Sequence, residues 1–349
     1  MARPELRYPP KPRPGDRVAI VSPSFAGPAR FPAIHELGLR RLREDIGLEP
    51  VEYPTTRRLR ASAADRAADL VAAFADPSIT AVLATIGGDD QLTVLPHLDA
   101  EIVAANPKPF FGYSDNTNLL NWLWGLGIVG YHGGSTMVHL ARGGTAHPVS
   151  LSSLRTALFS SEEVVIHPAA EYGEDEIPWS SPGALVTEPP MRPSDGWTWH
   201  NAVRGVEGPT WGGNLEVLHW NLAAGRWIRP AEEYEGCILV IETSEEMPSA
   251  VDVGRMLRNM GERGLLEQFP AVVIGRPKAS SHLAPRTDAE RAAFVTDQRD
   301  AVIGMLDRYR PDAVAVFGVE IGHTDPQWII PYGGWMCVDG PARTIRVRY

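Results

Sequence analysis

Apolar positions in the first half of the chain come in short continuous runs, each followed by a stretch with helical spacing. Arg17-Val-Ala-Ile-Val-Ser22 follows the turn Pro14-Gly15-Asp16 and predicts a buried strand. Pro32 to Glu44 and the Ala-rich stretch Ser62 to Phe74 repeat apolar residues every three or four positions, which predicts helices. Thr80-Ala-Val-Leu-Ala-Thr85 is the next strand, ended by Gly87-Gly88. A strand at Phe110, a helix from Asn116 to Trp124, a strand from Ile128 to Tyr131 and a helix from Ser150 to Phe159 complete this half. Repeated strand–helix units of this length predict a parallel sheet covered by helices. Ligand sites in such sheets lie at the carboxyl ends of the strands, where Gly87-Gly88 and Ser114 both fall.

From about Ala169 to Thr210 the periodicity breaks. Pro178, Pro182, Pro189, Pro190 and Pro193 exclude long helices, and Glu171, Glu174, Asp175 and Glu176 form an acidic cluster. Trp179, Trp197, Trp199 and Trp211 lie in or beside this segment, which argues against a solvated linker. Two roles stay open for the tryptophans: anchoring in the core, or stacking on a ligand. Beyond it, Leu215, Leu218 and Leu222 share one helical face, Cys237-Ile-Leu-Val-Ile-Glu242 is a strand ending in a carboxylate, and Val251 to Met260 is helical. Ala271 to Gly275 and Ala313 to Phe317 are strands, and Trp335 to Val338 pairs with Thr344 to Val347 around Asp339-Gly340. The division expected is 1–168, a connecting segment 169–210, and a second, smaller mixed α/β domain 211–349.

Composition narrows the function. A net charge of −10 with no basic cluster argues against a nucleic-acid polymer or an anionic membrane as partner. No run of about 18 apolar residues is present, and the first ten residues carry no apolar signal core, so a cytoplasmic protein is expected. With 2 cysteines in 349 residues a reduced compartment fits, although a single disulfide stays open. No metal motif, Walker sequence or dinucleotide fingerprint appears, so no metal or cofactor is expected.

The residues with most chemical promise lie at Gly112-Tyr-Ser-Asp115, between the Phe110 strand and the Asn116 helix. A sharp strand-to-helix turn lifts a serine oxygen clear of the sheet and aims backbone N–H groups at it. The alternative is an ordinary turn whose Ser114 and Asp115 cap the helix. A serine nucleophile needs a base, and the base needs an orienting partner. His35 and His97 sit in predicted helices or turns. His132-Gly-Gly134 looks like the oxyanion motif of lipases but follows the serine, where that motif precedes it. His323, in Gly322-His-Thr-Asp-Pro326 after a strand, is placed for a cleft, and a structural histidine is its alternative. Glu242 at a strand end is the candidate orienting carboxylate, with a solvated strand end or helix cap as its alternative.

Taken together, these segments resemble the LD-carboxypeptidase family of serine peptidases (family S66), which includes the microcin C7 self-immunity proteins. The resemblance runs along nearly the whole chain. It is carried in order by Pro12 to Ser24, Thr85-Ile-Gly-Gly-Asp-Asp90, Leu95-Pro-His-Leu-Asp99, Gly112-Tyr-Ser-Asp115, Trp211-Gly-Gly-Asn-Leu215, Ile241-Glu-Thr-Ser-Glu-Glu246, and Gly322-His-Thr-Asp-Pro326 through Pro331-Tyr-Gly333. It implies a Ser114–Glu242–His323 triad, with backbone N–H groups at Gly88 and Asp115 forming the oxyanion hole. It implies a Rossmann-like N-terminal domain carrying the serine, a C-terminal domain supplying Glu242 and His323, a cleft between them, and a homodimer. The Thr85 to Asp90 loop is closer to the immunity subgroup than to murein carboxypeptidases, which carry Arg-Gly-Gly-Tyr-Gly there. That subgroup cleaves an amide-type bond between an aminoacyl group and a modified nucleotide and stacks an aromatic side chain on the base. Gly87, Asp89, Trp179, Trp197 and Trp199 are the substrate-binding candidates; Asp89, Asp90 and Gln91 depart from the family pattern. Three other readings compete. They are a murein carboxypeptidase releasing D-Ala, an α/β-hydrolase esterase with one continuous sheet, and a non-catalytic binder of a nucleotide or peptide.

Overall fold

The computed structural model describes residues 3–349. The first half builds β1 (Arg17–Val21), β2 (Glu49–Glu52), β3 (Ile79–Ala84), β4 (Phe110–Gly112) and β5 (Gly130–His132). Val18, Ala19, Ile20 and Val21 are all buried, as a strand covered on both faces requires. The helix Ala63–Ala75 starts where Ser62 accepts the Asp65 N–H, so the Ala-rich periodicity begins at a proper cap. These strands form one sheet in the order β14-β5-β4-β3-β1-β2. All its pairings are parallel except β14 on β5, and β14 (Ile330–Tyr332) comes from near the end of the chain.

A second sheet has the order β6-β16-β15-β10-β11-β12-β13-β9. Its members are β6 (Glu163–Ile166), β9 (Thr198–His200), β10 (Gly205–Asn214), β11 (Ile238–Glu242), β12 (Ala271–Gly275), β13 (Val314–Val319), β15 (Trp335–Asp339) and β16 (Thr344–Arg348). Its centre, β10 to β13, is parallel, and its flanks are antiparallel. The fold is therefore mixed α/β with parallel-strand sheets, in two layered halves. β10 belongs to both styles of pairing: Gly205 to Pro209 face β15 antiparallel, and Thr210 to Asn214 face β11 parallel. Two short strands in the long connection, β7 (Glu171–Tyr172) and β8 (Arg192–Pro193), pair only with each other.

The long connection is tied down by charge. Buried Glu174 pairs with Arg291 and accepts the Ala279 N–H at 2.7 Å, Asp175 pairs with Arg291, and Glu176 pairs with Lys278. Of its tryptophans, Trp211 is fully buried and stacks on Phe269, with ring centroids 5.7 Å apart. Together with Tyr234 and Trp124 it forms an aromatic wall between the two halves. One long element lies outside the sequence expectation, the helix Asp288–Tyr309. Its apolar positions are spread round the helix rather than gathered in a stripe, and among its hydrophobics only Val302 and Leu306 are buried. Its start is marked by a capping box, Thr287 with Glu290. Among the described residues no helix is long and apolar enough to cross a membrane.

Candidate active site

Ser114 sits at the tip of β4 with φ of 61°, a left-handed backbone that a residue with a Cβ adopts only under strain. The strain is held by neighbours rather than by a helix cap. The Asp115 carboxylate accepts the Gln91 N–H at 2.9 Å and the Asn118 side-chain N–H at 2.8 Å. Gln91 also donates to Asn116 Oδ1 at 2.8 Å and accepts from the Leu119 N–H at 2.9 Å. The glycine loop after β3 is thus clamped to the Ser114 turn. Gly87 lies so close that an added Cβ would stand 2.9 Å from Ser114 Oγ. Among the described residues no backbone acceptor takes the N–H of Gly88 or of Asp115. N–H groups left in this way can donate to an oxyanion.

The opposing residues come from the other sheet. Glu242 ends β11, is 2% exposed, and accepts a hydrogen bond from His323 Nδ1 at 2.6 Å. It is therefore neither a solvated strand end nor a cap. Gly322 makes the contact possible, because a Cβ there would fall 2.5 Å from Glu242 Oε2. The His323 ring rests against Tyr113, next in the chain to Ser114, at 5.0 Å between centroids. Its second nitrogen, Nε2, is held by Glu245 at 3.0 Å. Burial alone would lower the His323 pKa, but Glu242 and Glu245 outweigh it and hold it well above the usual imidazole range. Burial works against ionised Glu242 as well, and His323 again prevails, keeping it below the ordinary glutamate value. The structure thus brings Ser114, Gly87, Gly88, Asp115, Glu242 and His323 to one place between the sheets.

The stitching of the two halves explains why. Thr117, Asn118 and Asn121 on the helix Thr117–Gly125 take the Asn214 N–H at 2.9 Å, the Asn221 side-chain N–H at 3.1 Å and the Trp211 indole N–H at 2.9 Å. Gln327 joins the histidine loop to the first sheet, donating to the Gly322 carbonyl at 2.9 Å and accepting the Gly134 N–H at 3.1 Å. That is the place of His132-Gly-Gly134. His132 itself is buried beneath Tyr113, and burial lowers its pKa to about 4, so it is neutral at pH 7. The sequence reading gives no site role to Gln91, Asn214, Glu245 or Gln327, although Gln91 departs from the family pattern and Asn214 and Glu245 lie in segments that carry the resemblance.

The remaining candidates fall elsewhere. Asp89 is exposed at the rim of the glycine loop. Trp179 meets Phe31 edge to face, with centroids 5.3 Å apart, and lines a groove of about 280 Å³ with Arg30, Phe31, Ile34 and Ser180. Trp197 donates its indole N–H to Glu320 at 2.8 Å and Trp199 lies on the edge strand β9; both pack on the core of the second half. His35 is buried and pairs with Glu52 at 2.8 Å, away from the serine. No group of histidine, cysteine or acidic side chains suited to a metal ion occurs among the described residues.

Comparison with known proteins agrees along the chain. The LD-carboxypeptidase N-terminal domain matches residues 18–133, and the LD-carboxypeptidase C-terminal domain matches residues 207–338. The microcin C7 self-immunity protein MccF of Escherichia coli is 26% identical over 276 residues, 78% of this chain and 74% of that protein. A probable murein peptide carboxypeptidase of Bacillus subtilis is 24% identical over 342 residues, 97% of this chain and 94% of that protein. An MccF-like protein from Streptococcus pneumoniae, solved in complex with AMP, superposes with a TM-score of 0.83 at 27% identity, covering 96% of this chain and 99% of the other.

Proposed function

The chain belongs to the LD-carboxypeptidase family, and from that premise we propose that it is a cytoplasmic serine peptidase using Ser114, His323 and Glu242. The observation that carries this reading is the strained Ser114, with unpaired N–H groups at Gly88 and Asp115, next in the chain to Tyr113, against which rests a histidine that a buried glutamate orients. In the reaction, Ser114 Oγ attacks the carbonyl carbon of an amide while its proton passes to His323 Nε2. The Gly88 and Asp115 N–H groups take the charge that builds on the carbonyl oxygen. The C–N bond then breaks as His323 returns the proton to the leaving nitrogen. Water adds to the acyl-serine, giving its proton to His323, and the acid leaves as Ser114 regains its hydrogen. Glu242 keeps Nδ1 protonated so that Nε2 faces the reaction.

The proposed substrate is an aminoacyl group joined by an amide-type bond to a nucleotide. The MccF relatives and the AMP held by the pneumococcal protein support it, and Trp179, in its groove, is the candidate to stack on the base. An indole there would contribute about 1–3 kcal/mol by stacking on a base. Release of D-Ala from murein tetrapeptides is the second reading, supported by the Bacillus subtilis relative. An α/β-hydrolase places serine, acid and histidine on one sheet, whereas here Ser114 is on the six-stranded sheet and Glu242 and His323 follow strands of the eight-stranded one. A homodimer belongs to the proposal through the family resemblance.

The test is product analysis by mass spectrometry with an aminoacyl sulfamoyl adenosine and a murein tetrapeptide, using the native protein and Ser114→Ala. Serine-dependent release of the nucleotide moiety is expected, with kcat falling roughly 10³–10⁶-fold in the variant. Release of D-Ala alone selects the second reading. Turnover retained in Ser114→Ala, or nucleotide and peptide bound without turnover, rejects the triad.

A further inference from the structure

We propose that Glu245 determines specificity by covering the working nitrogen of His323 and yielding it to substrates that carry an ammonium group close to the scissile bond. The inference rests on the triad reading above and names the substrate class of that site. Three observations lead to it.

First, Nε2 of His323 must meet Ser114 and the leaving nitrogen, yet in the free protein it is 3.0 Å from Glu245 Oε2. Catalysis therefore requires the Glu245 carboxylate to move. Glu245 is able to move: its side chain is 58% exposed, on the loop after β11, and among the described residues its one ion pair is with His323. The Glu242 contact on the other face of the ring is buried and stays.

Second, the surroundings are rich in carboxylates, and Lys278, within reach of Glu245, is already paired with Glu176. The two neighbours of Ser114 in the chain feel carboxylates: Tyr113 those of Glu245, Glu242, Glu176 and Asp325, and Asp115 those of Asp90 and Asp89. The cations nearby already have partners. Lys278 is paired with Glu176, Arg142 with Asp325 at 2.6 Å, and Arg66 with Asp90 at 2.7 Å. The substrate itself is then the available source of positive charge.

Third, the groups facing His323 leave Glu245 as its one exchangeable partner. They are Glu242 from β11, Tyr113 from the nucleophile turn, His132 from β5, His139 from the turn Thr136–Leu140, Asp325 from its own loop, and Lys278 after β12, within reach of Glu245. His132 and His139 are neutral near pH 7, since burial lowers both to about 4. A substrate ammonium that draws Glu245 away removes one of two carboxylates from the imidazolium. The ring then loses its proton more readily and becomes the base. A substrate carboxylate at the same place would meet like charge.

The ammonium has two possible sources in an aminoacyl group, the α-amino group and a basic side chain, and the experiment separates them. Lysyl, N-acetyl-lysyl, norleucyl and glutamyl sulfamoyl adenosines are compared by kcat and KM across pH, in native protein, Glu245→Gln and Glu245→Lys. If the side-chain ammonium is what Glu245 reads, native protein should prefer lysyl to norleucyl by about tenfold in kcat/KM, the scale of one ion pair near a surface. If the α-amino group is what Glu245 reads, the N-acetyl compound loses the advantage and norleucyl keeps it. In Glu245→Gln the preference should vanish, and the acidic limb of kcat/KM should move down by about one pH unit. In Glu245→Lys glutamyl should become the better substrate. An unchanged preference and an unmoved limb in Glu245→Gln would overturn the inference while leaving the triad intact. Should no nucleotide be cleaved, NMR of the His323 ring in Ser114→Ala tests the inference without turnover. Lysinamide must shift its resonances, and 2-hydroxyhexanamide, which has no ammonium, must not; equal responses reject the inference.

Discussion

The two strand ends that meet in the cleft are held by different forces. At the end of β4, Ser114 is fixed by backbone geometry and by neutral or singly charged hydrogen bonds, with Asp115, Asn116, Asn118 and Gln91 satisfying one another. At the ends of β11 and β13, His323 is fixed by charge, between buried Glu242 and exposed Glu245. The first arrangement has one state. On the inference above the second has two, because exposed Glu245 is the carboxylate proposed to leave. A nucleophile gains from being fixed, since a misplaced oxygen loses the near-attack geometry. A base that takes and returns a proton needs a partner that stays and a nitrogen that can be released.

The comparison can be broken from either side. Glu242→Gln keeps the shape of the charged end but removes the charge that orients the imidazole, and kcat should fall by about 10⁴-fold. Steady-state kinetics on the preferred substrate decides it; a loss under tenfold would mean that Glu242 does not orient the base. Gly322→Ala attacks the same end sterically, because its Cβ meets Glu242 Oε2 and the residue has φ of 90°. A fall in kcat of about 10²-fold is expected, with KM little changed, as for displacement of a catalytic group. Equal kcat in the variant would show that the loop relaxes around the methyl.

Smaller effects test the seam and the rim. Thr117→Val leaves the buried Asn214 N–H without its acceptor and should lower unfolding free energy by about 1–3 kcal/mol, read from denaturant melts. No change in the midpoint would mean that the seam does not depend on that bond. Trp179→Ala should weaken AMP binding by about 1–3 kcal/mol while leaving Ser114 reactivity intact. Calorimetry showing equal affinity would move the base-binding surface away from the Trp179 groove.

Much of this molecule is legible in its sequence. The strand runs at Val18, Ala81 and Val272, the Ser62 helix start and the closing hairpin all follow from period and turn chemistry. The candidates Ser114, Glu242 and His323 stand out in the sequence because each follows an apolar run. What stays hidden depends on distance in space. The contact of Glu245 with His323 joins residues far apart in the chain with no pattern to announce it. The seam at Thr117 and Asn121 looks in sequence like polar residues on an ordinary helix. The long helix Asp288–Tyr309 escapes because it is mostly exposed, and a weak apolar stripe leaves only its capping box as a signal. Trp211, in or beside one segment with Trp179, is core, while Trp179 lines a groove; composition cannot separate the two.

The most direct measurement is active-site labelling with a fluorophosphonate, followed by peptide mapping, in native protein and in Glu242→Gln and His323→Ala. The triad predicts one adduct, on Ser114, formed rapidly in native protein and far more slowly in both variants. No adduct, an adduct on another residue, or equal labelling rates in all three proteins would contradict it.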